Sequence, residues 1–108
     1  MQVTVLMPIY NAERFLYDSI GSLLAQTSDN WKLICIDDGS TDNSKSIVDE
    51  YCKKDARIKL ICQENAGPAV ARARAIENAD TEYVAILDSD DAYAPDYVEK
   101  MLARAEET

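Results

Sequence analysis

Residues 83–91 read Tyr-Val-Ala-Ile-Leu-Asp-Ser-Asp-Asp and form the most informative stretch of the chain. The first five residues, 83–87, are apolar at every position rather than at alternate positions. A strand that is buried on both faces has this pattern, as parallel strands covered by helices do. Three carboxylates follow within the next four residues. We therefore expect a parallel strand that is buried on both faces and that ends in a cluster of acidic side chains.

The rest of the chain alternates between strand-like and helix-like segments. Three further strand-like runs lie at residues 3–7, 31–36 and 58–62. Asn11 is expected to cap the first helix, Thr41 and Asp42 to open the second, Pro68 to lie in the first turn of the third, and Pro95 to open the fourth. Four strands and four helices in alternation predict an α/β fold, a Rossmann-like three-layer α/β/α arrangement on a parallel sheet with right-handed crossovers.

The sequences of two expected helices indicate how these helices pack. Apolar side chains recur at helical spacing in the first helix, and we expect them in the core: Phe15, Leu16, Ile20, Leu23 and Leu24. The third helix is rich in alanine, so it can approach the sheet closely.

The composition is that of one small folded domain. The chain has 108 residues, of which 47% are apolar and 29% are charged, and its net charge is −9. Such a charge repels phosphate backbones, so we expect no nucleic-acid partner. The sequence has no apolar run long enough to span a bilayer and no signal-peptide pattern at its start, so we expect no transmembrane segment.

The spacing of the cysteines and the absence of histidine exclude further classes of site. Cys35, Cys52 and Cys62 match no zinc pattern, and we expect them to be buried free thiols in a reducing cytosol. The chain has no histidine, which excludes a Ser-His or Cys-His nucleophile and a histidine-ligated metal in these residues.

Ligands of open parallel sheets bind outside the carboxyl ends of the strands. The segments that follow the four strands therefore hold the candidate site, at residues 8–11, 37–40, 65–67 and 88–91. They place five aspartates on one edge of the sheet. Each segment also has a local explanation as a turn or a helix cap, because Asp, Gly and Ser favour turns.

Asp88 and Asp90 are the sharpest candidates. Two carboxylates ~4 Å apart in a partly buried setting repel each other by roughly 4 kcal/mol and need a counter-charge. In an extended segment both side chains point to the same side. Carboxylate oxygens suit Mg²⁺ or Mn²⁺, which keeps water and phosphate oxygens as further ligands. We therefore expect a metal–diphosphate site here, with a solvated turn as the alternative.

Four other residues allow two interpretations each. Tyr10 could stack on a nucleobase or belong to the core. Asp38 could accept the N–H of a pyrimidine imide or only cap a turn. Arg72 and Arg74 could bind phosphate or pair with surface acids. No G-x-G-x-x-G follows the first strand and no P-loop motif occurs, which argues against a nicotinamide or flavin dehydrogenase and against a P-loop nucleotidase.

The whole chain closely resembles the family 2 glycosyltransferases of the GT-A fold. Four ordered blocks carry the resemblance: residues 3–11 with Pro-x-Tyr-Asn, 36–42 with Asp-Asp-Gly-Ser, 65–72 with Asn-Ala-Gly and Ala-Arg, and 83–91 with Asp-x-Asp. The resemblance implies a partial GT-A fold with strand order 3-2-1-4. The third block departs from the family pattern Ala-Arg-Asn-x-Gly, because alanine stands at Ala73 and Ala75.

The resemblance also implies roles for the matching residues. It implies a donor nucleotide site formed by Pro8, Tyr10, Asp38, Arg72 and Asp88. In this site Asp38 would read the base, usually uracil, and Asp88 would lie near the ribose.

For the complete enzyme, the resemblance implies an inverting transfer of a sugar from a nucleoside diphosphate sugar, usually a UDP-sugar. Asp90 would hold Mn²⁺ or Mg²⁺ on the diphosphate. The acceptor would be the hydroxyl of a glycan, a lipid-linked sugar or another molecule in polysaccharide synthesis. Family members continue well past this point, and that second half supplies the acceptor site and the catalytic base. We therefore expect residues 1–108 to be the donor-binding half, with no catalytic residue and little activity of its own.

Several alternatives stay open from the sequence. The chain could be a non-catalytic module that binds a nucleotide sugar. A phospho-receiver domain would need paired acids after the first strand and an Asp after the third, and a sugar-phosphate nucleotidyltransferase usually has a Gly-rich loop after the first strand. We expect a cytoplasmic location, which leaves open attachment to the inner face of the membrane through the following region. Oligomerisation through an exposed sheet face or edge is also open.

Overall fold

The computed structural model describes residues 1–107, which form four strands and four helices in strict alternation. The strands are β1 (Val3–Ile9), β2 (Trp31–Asp38), β3 (Ile58–Gln63) and β4 (Tyr83–Ile86). The helices are α1 (Leu16–Leu24), α2 (Ser44–Lys54), α3 (Pro68–Asn78) and α4 (Tyr97–Glu106). The predicted alternation is confirmed for every element.

The four strands form one parallel sheet in the order β3-β2-β1-β4. β1 is central, because Val3 pairs with Trp31 of β2 on one side and with Tyr83 of β4 on the other. The α/β class and the expected strand order are confirmed. Flavodoxin-like domains, which include phospho-receivers, begin with the order 2-1-3, so the receiver alternative is excluded.

Helices cover both faces of the sheet. Because side chains alternate between the two faces along each strand, each strand contributes residues to both layers. One face packs against α1, α2 and α4, with buried side chains that include Val5, Leu33, Leu16, Val48 and Leu102. The other face packs against α3. There the side chains of Leu6, Ile34 and Ile36 meet Ala71 and Ala75, both of which are fully buried. The predicted close approach of an alanine-rich helix is therefore present.

β1 continues through Pro8, although the sequence predicted that this strand ends before it. Pro8 pairs with Ile36 of β2. The backbone polar groups of Leu6, two residues earlier, point toward β4, and its carbonyl accepts the N–H of Leu87 at 3.0 Å. The backbone of Pro8 also faces the side of β4, but Pro8 lies past the end of that strand. The N–H that proline lacks therefore removes no hydrogen bond from the sheet.

Three helices begin later than predicted, because the residues before them make contacts between loops. α1 begins at Leu16 rather than after Asn11, α2 at Ser44 rather than at Thr41, and α4 at Tyr97 rather than at Pro95. Asn11 does not cap a helix. Its φ is +48°, and its side-chain oxygen accepts the N–H of Thr41 at 2.8 Å.

Two of the five apolar positions expected in the core around α1 are largely exposed. Phe15 and Leu24 each expose 44% of their surface, whereas Leu16, Ile20 and Leu23 are fully buried. Phe15 precedes the first helical residue, so the helical spacing does not apply to it. Leu24 is the last residue of α1 and lies beside the buried stripe.

β4 is buried on one face only, contrary to the prediction. Val84 and Ile86 are 47% and 46% exposed, whereas Tyr83 and Ala85 pack against the core on the other face. Within residues 1–107, β4 is an edge strand, and α3 lies over β1 and β2 instead of over β4. The apolar pattern of β4 therefore indicated a cover over Val84 and Ile86 that residues 1–107 do not supply.

The three cysteines are free, as expected, but only Cys35 is buried and Cys62 is exposed. Burial raises the pKa of the Cys35 thiol, so this thiol is protonated and unreactive at neutral pH. None of the helices described for residues 1–107 has the length and apolar character that crossing a bilayer requires.

We predict that Ala75→Leu destabilises the fold by about 1–3 kcal/mol, because the added atoms would force α3 away from the sheet. Ala73 is exposed on the same helix, so Ala73→Leu is a matched control, for which we expect a change within about 0.5 kcal/mol. Urea unfolding of the two variants and the wild type measures both effects. Equal stability of the two variants would contradict the close packing of α3.

Candidate functional site

A cavity of about 460 Å³ opens at the carboxyl ends of β1, β2 and β4. All six predicted site residues line it: Pro8, Tyr10, Asp38, Arg72, Asp88 and Asp90. The cavity lies where the strand order reverses, because the chain runs outward from β1 to β3 and then returns to place β4 on the other side of β1. Open α/β sheets bind ligands at such a reversal.

The five aspartates expected on one edge do not all reach the cavity. Asp37 and Asp91 do not line it. Asp37 is 3% exposed and shares the sheet face of Cys35, because consecutive residues of a strand lie on opposite faces. One of its carboxylate oxygens, Oδ2, accepts the N–H of Ser40 at 3.2 Å. Its Oδ1 is buried and has no hydrogen-bond partner within residues 1–107, so only Oδ2 ties Asp37 to the loop after β2.

Asp38 is a buried carboxylate that is held by the end of β3 and the loop before α3. The residue is 4% exposed. Its Oδ1 accepts the side-chain N–H of Gln63 at 2.9 Å and the backbone N–H of Ala66 at 2.8 Å. Its Oδ2 accepts the N–H of Gly67 at 3.0 Å and a longer bond from Asn65 Nδ2 at 3.4 Å. Burial raises the pKa of Asp38, but the bonds from Gln63, Ala66 and Gly67 lower that pKa more, so Asp38 stays ionised.

Gly39 allows the loop after β2 to touch the loop after β3. Its φ is +76°, and a Cβ atom at this position would lie 2.9 Å from the backbone nitrogen of Asn65. Glycine meets both demands, because it has no Cβ and adopts positive φ at no steric cost.

Asn11 fastens the loop after β1 to the loop after β2. Its backbone N–H donates to Ser40 Oγ at 2.9 Å, and its Oδ1 accepts the N–H of Thr41 at 2.8 Å. The left-handed conformation of Asn11 is one that asparagine tolerates better than most residues. Tyr10, directly before it, is 53% exposed and lines the cavity, so the interpretation of Tyr10 as a core residue is excluded.

Asp42 and Ser44 add a second connection between the same two loops. Asp42 Oδ1 accepts the N–H of Ser44 at 2.9 Å, and its Oδ2 accepts the N–H of Glu13 at 3.2 Å. The buried Ser44 Oγ accepts the N–H of Ala12 at 2.9 Å. Burial raises the pKa of Asp42, but the hydrogen bonds from Ser44 and Glu13 lower it more, so that pKa lies below its ordinary value.

Asp88 and Asp90 reach the cavity through a turn, not through an extended segment as predicted. The N–H of Asp91 donates to the carbonyl of Asp88 at 3.0 Å, which closes the turn. Both carboxylates are exposed and line the cavity together with Ser89 between them. Within residues 1–107, no group of three or more His, Cys, Asp or Glu side chains is placed so that it could hold a metal ion by itself.

Arg72 supplies a positive charge beside this acidic turn. Its Nη2 lies 3.8 Å from Asp88 Oδ1, and both side chains are about half exposed, so this pair adds little to stability. Arg72 Nε is buried and has no hydrogen-bond partner within residues 1–107. Arg74 lies elsewhere and donates to the carbonyl of Cys62 at 3.3 Å, which excludes it from the cavity.

Phe15 is a cavity residue that the sequence analysis missed. It lines the cavity with Ala12, and the guanidinium carbon of Arg14 lies 5.9 Å from the centre of its ring. From its helical spacing, we expected Phe15 in the core. The signal that could have identified it is its place after β1, on the same edge of the sheet as Tyr10.

We predict opposite effects of alanine at two glycines. Gly39→Ala should destabilise the fold by about 1–3 kcal/mol, because the new Cβ collides with the Asn65 backbone and the residue keeps a strained φ. Gly21 lies in α1 with no atom near its Cβ position, so Gly21→Ala should stabilise by about 0.5–1 kcal/mol. Thermal unfolding of both variants tests this pair, and a neutral Gly39→Ala would refute the close approach of the two loops.

We predict that the contribution of Asp42 to stability disappears in acid. The pKa of Asp42 is lower in the folded chain than in the unfolded chain, so its stabilisation is complete above the ordinary pKa of about 3.9. That stabilisation is lost as pH falls through the lower, folded pKa. Asp42→Asn should therefore be destabilised at pH 7 and approach the wild type near pH 2, as measured by urea unfolding.

Glu50→Gln is the control for the acid series, because Glu50 is exposed on α2. A gap between Asp42→Asn and the wild type that stays constant from pH 7 to pH 2 would contradict this role of the carboxylate.

The chain is similar to known proteins over nearly its whole length. The sequence pattern described as glycosyl transferase family 2 matches residues 4–108. The chain is 45% identical over 101 residues to TuaG of Bacillus subtilis (strain 168), which is named as a glycosyltransferase of teichuronic acid biosynthesis. It is 41% identical over 100 residues to the glycosyltransferase GlyA of Streptococcus pneumoniae serotype 4. These matches cover 93% of this chain, but 40% of TuaG and 14% of GlyA.

Solved structures show the same fold. TarS of S. aureus (residues 1–349), solved in complex with UDP, matches 99% of this chain and 32% of its own, with a TM-score of 0.92 and 30% identity. The mannosyltransferase PcManGT of Pyrobaculum calidifontis, solved with GDP-Man and Mn²⁺, matches 98% of this chain and 31% of its own, with a TM-score of 0.81 and 26% identity.

The chain therefore spans about two fifths of the length of TuaG and about a third of each of these two solved proteins. The family pattern covers nearly all of its residues, and its sheet is that of the GT-A glycosyltransferases. The chain belongs to glycosyl transferase family 2.

Proposed function

We propose that this chain is the donor-binding half of an inverting glycosyltransferase, which transfers a sugar from a nucleoside diphosphate sugar to an acceptor hydroxyl. The observation that carries the proposal is the composition of the single cavity at the strand reversal. An exposed aromatic ring, a buried carboxylate, a guanidinium and two exposed carboxylates line it, in Tyr10, Asp38, Arg72, Asp88 and Asp90. A nucleobase, a ribose and a diphosphate need such groups.

The nucleotide site consists of Pro8, Tyr10, Asp38, Arg72 and Asp88. The exposed ring of Tyr10 offers a surface on which a base stacks. Arg72 places a half-exposed guanidinium beside the cavity, and its terminal N–H groups are donors for a phosphate oxygen. Asp88, which lies at the end of β4, accepts hydrogen bonds from the ribose.

A divalent cation fits the acidic turn. Asp90, with Asp88 beside it in the same turn, offers carboxylate oxygens that are exposed to the cavity. Mg²⁺ and Mn²⁺ prefer oxygen ligands and keep several positions for water and phosphate. A donor set of two carboxylates therefore suits a cation that the diphosphate also holds. When bound, the cation supplies positive charge for the leaving diphosphate.

Among the nucleotide sugars, we assign a UDP-sugar as the donor. TarS, which is 30% identical, was solved with UDP and also with UDP-GlcNAc. PcManGT, the more distant structure, was solved with GDP-Man. We carry the uridine nucleotide over to this chain because its cavity residues include an acidic side chain for the imide N–H of uracil, at Asp38.

In the transfer, the acceptor oxygen attacks the anomeric carbon, the bond from that carbon to the diphosphate breaks, and the configuration inverts. The acceptor proton passes to a carboxylate base that we place outside residues 1–108. We assign the acceptor to polysaccharide or glycan synthesis, and we expect the 108-residue chain alone to transfer little.

Calorimetric titration of UDP with and without Mn²⁺ tests the donor site. We predict binding that Mn²⁺ strengthens, and a loss of about tenfold in affinity, about 1.4 kcal/mol, for Asp90→Asn in the presence of Mn²⁺. Asp49→Asn is the control, because Asp49 lies on α2 in an exposed pair with Lys53. Binding of UDP that neither Mn²⁺ nor Asp90→Asn changes would contradict the metal assignment.

A transfer assay separates an enzyme from a module that only binds. The full-length protein is incubated with UDP-sugars and glycan acceptors, and the anomeric configuration of the product is determined by NMR. We expect a product with inverted configuration. Donor binding without any transfer by the full-length protein would favour the non-catalytic module.

A further inference from the structure

The side chain of Tyr93 closes the loop that contains the acidic turn. Its hydroxyl donates to the backbone carbonyl of Ile86 at 2.7 Å. Residues 87–92 lie between these two residues, and this loop includes Asp88 and Asp90. Burial raises the pKa of the Tyr93 hydroxyl, so the hydroxyl keeps its proton at neutral pH and can donate this bond. The two ends of the loop are therefore joined directly.

The carbonyl that Tyr93 binds lies on the outer edge of β4. The N–H of Leu87 donates to the carbonyl of Leu6 at 3.0 Å, so the backbone of Leu87 faces β1. Backbone groups of consecutive residues in a strand point to opposite sides, so the Ile86 carbonyl points away from β1. Within residues 1–107, β4 has no strand on that side. The Tyr93 hydroxyl therefore binds a carbonyl that the sheet itself leaves without a donor.

The far end of the loop is attached to the C-terminal part of α1. The N–H of Tyr93 donates to Ser22 Oγ at 3.1 Å. Gln26, which is 7% exposed, donates from Nε2 to the carbonyl of Ala94 at 2.7 Å and accepts the N–H of Val98 on Oε1 at 2.9 Å. Because α1 packs against the sheet through its buried residues, these bonds fix Tyr93 relative to β4.

The carboxylate of Asp90 depends most on this closure. Asp88 directly follows Leu87, whose N–H is bound to β1, whereas Asp90 lies in the middle of the loop. The two carboxylates are exposed and carry like charges that repel each other. A cation binds more tightly to carboxylates that are already held in place, because less conformational freedom is lost on binding.

We infer that Tyr93 is a positioning residue for the cation site, whose hydroxyl closes the loop of residues 87–92 on the Ile86 carbonyl and so holds Asp90 at the cavity. This inference rests on the proposed function and adds a residue to it. Tyr93 does not line the cavity and acts only through the loop.

A positioning role differs from a general contribution to stability in its dependence on the metal. In the proposed site, UDP without a cation is bound by residues outside the loop, which include Tyr10, Asp38 and Arg72. The additional affinity that Mn²⁺ supplies depends on Asp90. Loss of the Tyr93 hydroxyl should therefore weaken UDP binding in Mn²⁺ and leave UDP binding without metal unchanged.

The experiment compares UDP binding to the full-length protein for the wild type and for Tyr93→Phe. Calorimetry measures binding in Mn²⁺, and NMR titration, which also measures weak binding, follows it in EDTA. We expect about fivefold weaker binding in Mn²⁺, as for the loss of one hydrogen bond, and unchanged binding in EDTA. Electron paramagnetic resonance of Mn²⁺ with UDP should show a matching fall in the bound fraction of the metal.

Tyr17→Phe is the matched control. Tyr17 lies on α1, is 63% exposed and does not line the cavity. The same hydroxyl is removed from a ring that lies away from the loop, so we expect unchanged UDP binding with and without Mn²⁺.

A second variant keeps the test decisive if Tyr93→Phe does not fold. Ser22→Ala removes the acceptor of the Tyr93 N–H and leaves the hydroxyl in place. We expect a smaller loss of UDP affinity, about threefold in Mn²⁺, and again no change in EDTA.

The remaining outcomes also decide. Equal weakening in Mn²⁺ and in EDTA, or unchanged binding in Mn²⁺ by folded Tyr93→Phe, overturns the positioning role while the proposed function stands. Binding of UDP by the wild type that Mn²⁺ does not strengthen overturns both the positioning role and the metal assignment, and leaves the nucleotide site. Failure of the wild type to bind UDP rejects the proposed function, and the positioning role is rejected with it.

Discussion

The parallel pairing of β1 with β2 on one side and with β4 on the other is the constraint on which the site depends. Because both neighbours run parallel to β1, the carboxyl ends of the three strands meet at one edge. The loops that follow them are therefore adjacent, although they lie far apart in the sequence. The ladder between β1 and β4 ends where Leu6 pairs with Ile86, two residues before Pro8. The cavity opens there.

Carboxylates at this edge fall into two physical classes. Asp37, Asp38 and Asp42 accept backbone amides and hold loops in place. Asp88 and Asp90 are exposed, and within residues 1–107 their carboxylates are not held by backbone amides in this way. Buried carboxylates need donors that compensate for lost water, and Asp38 has them on both oxygens, whereas Asp37 has one on Oδ2 alone. The exposed class keeps its oxygens for ligands, which is the chemical reason why we place the cation at the turn after β4.

The sequence predicted the elements, their alternation, the parallel sheet and six of the twelve residues that line the cavity. These features follow from local patterns, namely apolar runs, turn residues and the rule that sites lie after strands. The ends of β1 and β2 were wrong because strand pairing continues through Pro8 and Asp38. The starts of three helices were wrong because the residues before them make contacts between loops. The burial of β4 was wrong for a similar reason, since cover over Val84 and Ile86 depends on what packs there and not on their own apolarity.

The sequence by itself therefore determined the class of fold and the edge of the sheet that holds the site. Only the tertiary structure decided which aspartates hold loops and which face the cavity. The reason is that Asp37 and Asp38 are neighbours in sequence but lie on opposite faces of β2, and that the donors to Asp38 come from residues 63–67. A local sequence pattern contains neither the face on which each aspartate lies nor the donors to Asp38, because both are determined when the strands pair.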